Sequence, residues 1–329
     1  MTRAEGWERF LKEHQQQREA LREEVMQQIS QKLEQLIERI FEAFEEIRKK
    51  ADQQKKEDCV HFLFGLQRCD LLSNKARVRL DVMNPAWYMD EDKLTVQLDL
   101  TFLFESYFAW KERLLLDMRS YMGKVNQYDV ENLIQEEIIS GNRLIAHPLR
   151  FAFRNLEEQK CFRQIKKLPY WIIRWGEYKD YSEIVMRVNR EERGEAAWLE
   201  AIERYSEDKE VLTAEYWYKV DILTGDCQKK QMFFTTFEEC NIRHMDFSKA
   251  EMRGVRFIRC SLDNCKFTKA NLQQADFEDC EFMDSDFTGA NMSQATFSKK
   301  NFPWEFFEES QLKEMFLIKD TAAEQYHGG

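Results

Sequence analysis

The stretch that decides the fold is residues 265–299, which read CKFTK ANLQQ ADFED CEFMD SDFTG ANMSQ ATFSK when divided into units of five. In each unit the first residue is small and the third is bulky and apolar. The bulky position recurs without a slip through fourteen consecutive units, from Phe237 to Phe302. An α-helix repeats every 3.6 residues and a strand every 2, so a five-residue period requires the chain to coil. The pattern therefore predicts a solenoid, in which each unit buries its apolar side chain against its neighbours.

Three of the units carry a more specific signature, a small residue followed by Asp or Asn and then a bulky apolar residue: Ala270-Asn271-Leu272, Ala275-Asp276-Phe277 and Ala290-Asn291-Met292. On these residues, the segment 231–303 resembles the pentapeptide-repeat family. The resemblance implies a right-handed quadrilateral β-helix with one pentapeptide per side and four per coil. Thr235, Met245 and Lys300 depart from the small-residue rule, and their units are expected to lie in fraying or capping coils.

Charges on one predicted face of the solenoid alternate in sign from coil to coil. Glu238 and Glu239 are followed by Arg256 and Arg259, and then by Asp276. Residues twenty apart stack in such a coil, so we expect ion pairs between coils, each worth about 0.2–1 kcal/mol. Several pentapeptide-repeat proteins are described as mimics of duplex DNA that bind DNA gyrase, and the resemblance implies this role as an alternative. A mimic needs a long, uniformly negative rod, which alternating faces do not provide.

The composition bounds the partners and the compartment. A net charge of −11 disfavours nucleic acid and anionic membranes as partners. The sequence has no apolar run long enough to span a bilayer and no signal-peptide pattern. Four of the eight cysteines occupy small positions of the repeat, and none of the eight forms a CxxC pair. These features predict free thiols and a cytoplasmic protein.

Residues 1–58 predict a long amphipathic helix, because they lack Pro, contain one Gly and are rich in Glu, Gln, Lys and Arg. Apolar residues recur in steps of three or four and form one stripe. The stripe has three explanations: packing on the chain's own domain, self-association or partner binding. For partner binding we select Ile29, Leu33 and Ile40 as helix anchors.

Residues 59–230 predict an α+β domain with an aromatic-rich surface. Strands are expected over residues 60–72, 76–83 and 169–188, and helices over residues 94–122, 129–155 and 195–205. Aromatic residues beside predicted loops are Trp87, Tyr88, Trp171, Trp175 and Tyr178. Because Trp, Tyr and Arg are enriched in binding hot spots, these five residues are candidates for a protein or peptide site. The alternative is that their rings belong to the core.

No catalytic motif is found. The five histidines include no HExxH or HxH pair, and GxSxG, Walker A and GxGxxG sequences are missing. Cys59 and His61 would point the same way on a strand, but no further ligand accompanies them. We therefore predict no metal, no cofactor and no enzymatic activity. An enzyme with its site in the middle region is a further alternative.

Residues 304–329 predict a helix that caps the open end of the solenoid, followed by a tail. In the resembled family a C-terminal helix can also join two solenoids, so a homodimer is the alternative. Taken together, the sequence predicts a multidomain α+β protein of four parts, at residues 1–58, 59–230, 231–303 and 304–329. The predicted function is that of a non-enzymatic adaptor that binds a protein or peptide, with the solenoid as its rigid platform.

Overall fold

The computed structural model describes residues 2–223, 225–300 and 302–318. The chain forms two compact units, Met1–Met186 and Arg187–Gly329. The expected boundaries after residues 58 and 230 are therefore not the boundaries between compact units. The first expected part shares a core with the middle region, and the solenoid begins before residue 231.

In unit 1, the expected single helix is replaced by three consecutive helices. These are α1 (Arg3–Glu13), α2 (Gln15–Gln31) and α3 (Leu33–Gln54). The breaks lie at His14 and Lys32, where φ is −103°. At the first break the His14 ring nitrogens contact the Phe10 carbonyl, at 2.8 Å, and the Asp117 carboxylate, at 3.2 Å. The apolar stripe packs on other elements of unit 1, which is the first of the three explanations.

The middle of unit 1 is a five-stranded mixed sheet with the strand order β3-β2-β1-β4-β5. The first three strands form antiparallel pairs, and β1 pairs in parallel with β4. The strands are β1 (Cys59–Leu66), β2 (Arg77–Met83), β3 (Leu94–Asp99), β4 (Lys167–Glu177) and β5 (Ser182–Asn189). Helices between these strands are α4 (Arg68–Leu71), α5 (Glu105–Asp117), α6 (Gln127–Leu144), α7 (Ala146–Ala152) and α8 (Lys160–Arg163).

Two expected helices of the middle region are corrected by the structure. Leu94–Asp99 is a strand, because Leu94, Val96 and Leu98 alternate with more exposed polar residues and face the core. The helix expected over residues 129–155 is divided between α6 and α7 at Ile145. Pro148 lies within the first turn of α7, where its missing N–H costs little.

The two faces of the sheet have different roles. Phe62 and Phe64 of β1 point towards the helices, where Phe44 of α3 lies 6.2 and 5.8 Å from their rings, measured between centroids. Trp175 of β4 stacks on Phe64 at 5.2 Å. Alternate residues of a strand point to opposite faces, so His61 of β1 lies on the other side of the sheet. We call that side the outer face.

Unit 2 begins with α9 (Glu195–Arg204) and continues as a solenoid with four faces. The first face is a six-stranded parallel sheet of β6 (Tyr216–Tyr218), β9 (Thr236–Glu238), β12 (Arg256–Ile258), β14 (Asp276–Glu278), β16 (Thr296–Ser298) and β17 (Phe316–Ile318). The second contains β7 (Asp221–Ile222), β10 (Asn241–Arg243), β13 (Ser261–Asp263) and β15 (Glu281–Met283). A third face contains β8 (Gly225–Asp226) and β11 (Met245–Asp246), and isolated bridges from Gln231 to Asn291 form the fourth.

The repeat is longer than the fourteen units expected. On the first face, the stacked central residues are Trp217, Phe237, Phe257, Phe277, Phe297 and Leu317. This column starts before the expected first unit and ends after the expected last one. The solenoid was underestimated because its outer coils replace small residues with Glu, Val or Lys, while the bulky spacing persists.

The ends of the solenoid are closed differently from the prediction. At the start, Trp198 of α9 packs edge-on against Trp217 at 5.1 Å and joins the solenoid core. After the last full repeats the chain forms a 3₁₀ turn (Trp304–Phe306), the one-turn helix α10 (Glu309–Leu312) and then β17. The expected C-terminal capping helix is thus mostly a short turn and a strand. The rest of the expected tail, from residue 319, lies outside the described residues.

Candidate functional site

Two of the five aromatic candidates are core residues. Trp171 and Trp175 are 3% and 1% exposed. The indole nitrogen of Trp175 donates to the side-chain oxygen of Asn142 at 3.1 Å and to its backbone oxygen at 3.0 Å, inside unit 1. Their prediction as binding residues is corrected, because both rings point to the helix-covered face of the sheet.

The helix anchors are also occupied by packing within unit 1. Ile29 is 3% exposed and Ile40 is fully buried, while Leu33 is half-buried at the start of α3. The stripe that suggested partner binding is used for the unit's own core. Ile29 and Ile40 are therefore not available at the surface.

The remaining candidates, Trp87, Tyr88 and Tyr178, lie together at the outer face of the sheet. Trp87 and Tyr88 belong to a 3₁₀ turn (Trp87–Met89) between β2 and β3. Their rings meet at 85°, with centroids 5.3 Å apart. Tyr178 follows β4, and its backbone N–H donates to the Leu66 carbonyl at 3.0 Å.

A groove of about 450 Å³ opens beside these rings. Its lining residues come from three places, the end of β1, the Trp87 turn and the β4–β5 hairpin: His61, Trp87, Tyr88, Ile172, Arg174, Lys179, Asp180 and Ser182. His61 and Ile172 are direct neighbours across β1 and β4. The sheet register therefore sets the floor of the groove, and the two loops form its walls. We refer to it as the aromatic groove.

The charges around the aromatic groove are fixed by specific contacts. Arg174 donates to the Ser182 carbonyl at 3.1 Å, which holds its guanidinium along the hairpin. Asp180 accepts from Arg68 at 2.8 Å. Lys179 is exposed, with its ammonium 5.5 Å from the centre of the Tyr178 ring.

A second carboxylate lies nearby on the outer face. Asp81 of β2 is buried and accepts from Arg79 at 2.7 Å and from the Thr95 hydroxyl at 2.6 Å. The Arg79 guanidinium in turn lies 5.0 Å from the centre of the Tyr178 ring. Burial of the Tyr88 hydroxyl, and then the negative charge of Asp81, raise the pKa of Tyr88. Tyr88 is thus a neutral hydrogen-bonding group at neutral pH.

His61 is the most unusual residue of the aromatic groove. Its ring packs edge-on against Trp87 at 4.2 Å, and its buried Nδ1 has no hydrogen-bond partner among the described residues. Burial, with a further contribution from the Arg174 charge, lowers the pKa of His61 to about 4. The imidazole is therefore neutral at pH 7.

Trp87 adds backbone strain at the same place. Its φ of +60° lies in the left-handed region, which a bulky residue rarely adopts. Strained backbone and unpaired buried polar groups are concentrated at functional sites, where the surrounding structure keeps them in place. The aromatic groove combines both features around one pair of rings.

The sequence analysis missed the role of His61, which it considered only as half of a metal pair. Cys59, the other member of that pair, is fully buried. Strand alternation is the signal that separates the two sets of candidates. In β4, Trp171, Ile173 and Trp175 face the core, whereas Ile172 and Arg174 lie on the outer face with His61.

Metal, cysteine and membrane features were searched in the same way. Within residues 2–223, 225–300 and 302–318, no group of three or more His, Cys, Asp or Glu side chains is arranged to hold a metal ion. All eight cysteines are free. Among the helices of the described chain, none has the length and apolarity needed to cross a lipid bilayer.

The solenoid surface shows the ion pairs between coils that the sequence predicts. Arg256 lies 3.1 Å from Asp276 in the next coil, and Arg259 lies 2.6 Å from Glu238 in the preceding coil. Positive and negative side chains therefore neutralise each other along this face. Such a face does not present the continuous negative charge of a DNA strand.

Comparison with known proteins agrees with this architecture for unit 2. Residues 231–268 and 260–298 match the family model of pentapeptide repeats. The C-terminal solenoid of this chain is thus a pentapeptide-repeat solenoid. A search of curated protein sequences found no match.

Three solved structures illustrate the likeness. A trypsin-treated variant of QnrB1, a plasmid-mediated fluoroquinolone resistance protein, is 17% identical, with a TM-score of 0.23 over 26% of this chain and 50% of its own. A pentapeptide repeat protein from Nostoc Pcc 7120 is 20% identical, with a TM-score of 0.18 over 36% of this chain and 94% of its own. One from the Arabidopsis thaliana thylakoid lumen is 17% identical, with a TM-score of 0.16 over 30% and 70%.

These matches concern the repeat alone. The chain spans 50% and 58% of the length of the two QnrB1 structures that it matches. At these identities the likeness shows the fold of the solenoid and nothing of its partners.

Proposed function

We propose that this protein is a non-enzymatic adaptor that binds a short segment of a partner protein in the aromatic groove. The solenoid of unit 2 would serve as a rigid platform. We also propose a cytoplasmic location, which the eight free cysteines support.

One observation carries the proposal. The strained Trp87 and the unpaired Nδ1 of His61 meet at the wall of a groove that also contains Tyr88 and Arg174. Trp, Tyr and Arg are the residue types that contribute most to protein recognition. A volume of about 450 Å³ suits a few side chains of an extended segment.

DNA-gyrase binding through the solenoid is the less favoured alternative. The in-register pairs of Arg256 with Asp276 and Arg259 with Glu238 neutralise the first face. An adaptor role needs only a rigid, soluble surface there, so the ion pairs are compatible with it.

The test is selection of displayed random peptides on the full chain. Tyr88 is 37% exposed, so Tyr88→Ala removes a groove wall without opening the core. Tyr128→Ala is the matched control, because Tyr128 is 67% exposed and does not line the groove.

We expect selected peptides to bind the wild-type chain and the Tyr128→Ala variant equally, and to bind Tyr88→Ala at least about tenfold more weakly. Circular dichroism checks that both variants are folded. If no enriched peptide distinguishes Tyr88→Ala from the wild-type chain, the aromatic groove is not the binding site.

A further inference from the structure

We propose that the segment bound in the aromatic groove is acidic: a carboxylate side chain of the partner lies against Arg174 and Lys179, and a neighbouring apolar or aromatic side chain packs on Trp87 and Tyr88. This inference rests on the proposed function and specifies the chemistry of its ligand.

The first argument is the local charge balance. The two carboxylates near the groove already have cationic partners, since Asp81 is bound by Arg79 and Asp180 by Arg68. Arg174 and Lys179 add two positive charges to the lining. The groove is therefore positive in a protein whose net charge is −11.

The Arg68 contact does not remove this excess. Arg68 and Arg143 together bind the buried carboxylate of Glu177, and Arg68 also reaches Asp180. Two cations and two anions thus form a balanced cluster at the base of the hairpin. Neither carboxylate of that cluster is left to neutralise Lys179, which is exposed at the hairpin turn.

The second argument is the position of the apolar surface. Trp87 and Tyr88 present rings at 85° to each other, and Ile172 forms part of the floor. An aromatic or aliphatic side chain entering this corner contacts ring faces and edges together. The cationic groups lie on β4 and its hairpin, so a ligand spanning both surfaces needs an apolar group and an anion side by side.

The neutral state of His61 sets the remaining chemistry. At pH 7 the imidazole carries no charge, so it adds no attraction for an anion. The anion must be held by Arg174, which carries five N–H donors in a planar fork suited to a carboxylate. The negative field of the whole protein opposes a distant acidic ligand, so recognition depends on close contact.

The experiment uses the full chain and the displayed peptides. Selection on the wild-type protein is expected to enrich Asp or Glu next to an apolar or aromatic residue. For one enriched peptide we would then compare the Glu form with its Gln counterpart, made as synthetic peptides with amidated C-termini, by isothermal titration calorimetry.

The Glu→Gln change in the peptide should weaken binding to the wild-type chain at least about tenfold and leave binding to Arg174→Gln nearly unchanged. Lys179→Gln is a second variant at an exposed position, and a smaller loss is expected there. Lys49→Gln, an exposed lysine on α3, is the charge control and should behave as the wild type.

The outcomes separate the two proposals. Peptides that depend on Tyr88 but lack acidic residues, or whose Glu and Gln forms bind equally, overturn the acidic-ligand inference and leave the peptide groove standing. Enrichment that depends only on a free C-terminal carboxylate also overturns it. If no peptide depends on Tyr88, both proposals are wrong.

Discussion

At the scale of single residues, the chain turns its corners without relying on Gly or Pro. In the solenoid, positive φ recurs every five residues, as at Lys249, Arg259, Lys269 and Asp279. Left-handed backbone is costly for residues with a Cβ. The hydrogen bonds between coils hold these corners, as the N–H of Lys249 donates to the Thr268 carbonyl at 3.0 Å. Coil stacking therefore imposes a conformation that single-residue preference would not predict.

Gly176 is a residue for which space decides the identity. A Cβ added there would meet the backbone of Tyr181 and lie 2.5 Å from Ser182 Cα. We expect Gly176→Ala to lower the free energy of unfolding of unit 1 by at least about 1–3 kcal/mol, because neither backbone neighbour can move freely. Gly194→Ala is the control, since nothing lies within 4 Å of its added Cβ. Urea unfolding of both variants measures the difference, and equal midpoints would contradict the clash.

His61 predicts a pH dependence of stability. The pKa of His61 is lowered from 6.5 to about 4 in the folded chain, by burial first and then by Arg174. Between these pH values the unfolded chain binds more protons than the folded one, so the stability that neutral His61 contributes is lost as the pH falls from 6.5 to 4.

The variant His61→Gln removes this titration. From pH 7 to pH 4, we expect wild-type stability to fall by about 1–3 kcal/mol more than that of the variant. Urea unfolding at each pH measures both proteins. Parallel pH profiles would show that His61 titrates normally in the folded chain.

At the scale of elements, the column of stacked rings organises the solenoid. Phe257 is fully buried, and its ring is stacked 5.0 Å from that of Phe237 and 5.1 Å from that of Phe277. The column continues to Leu317 because β17 joins the sheet after an interruption by α10. The five-residue spacing thus survives even where the backbone leaves the regular coil.

We expect Phe257→Ala to destabilise unit 2 by about 3–5 kcal/mol, because it removes a ring between two others and leaves a cavity. Phe316→Ala on the same face is the control, since Phe316 is 58% exposed and should cost less than about 0.5 kcal/mol. Denaturant unfolding followed by circular dichroism compares the two. Similar losses for both variants would argue against the stacked column as the main support of the coil.

At the scale of the whole molecule, two separate cores replace the four parts expected from the sequence. The division between Met186 and Arg187 falls inside β5, a strand of the mixed sheet. The aromatic groove belongs to unit 1 alone, and the ring column belongs to unit 2 alone. Peptide binding and solenoid stability are therefore expected to be separable properties.

This organisation predicts that each unit folds without the other. Fragments cut after Asn189, which leaves β5 intact, should each show one cooperative thermal transition and the circular dichroism of their own secondary structure. The reason is that each has its own buried core. A fragment that remains unfolded alone would show that its unit needs the other for stability.

The sequence by itself determined the solenoid, because a five-residue period has one structural solution and is local enough to be read residue by residue. It also identified Trp87, Tyr88 and Tyr178 as surface aromatics. Tertiary structure decided the rest: it buried Trp171 and Trp175, used Ile29 and Ile40 for packing, and brought His61 beside Trp87. These outcomes depend on which face of a strand or helix meets the core, and that is set by contacts between residues far apart in the chain.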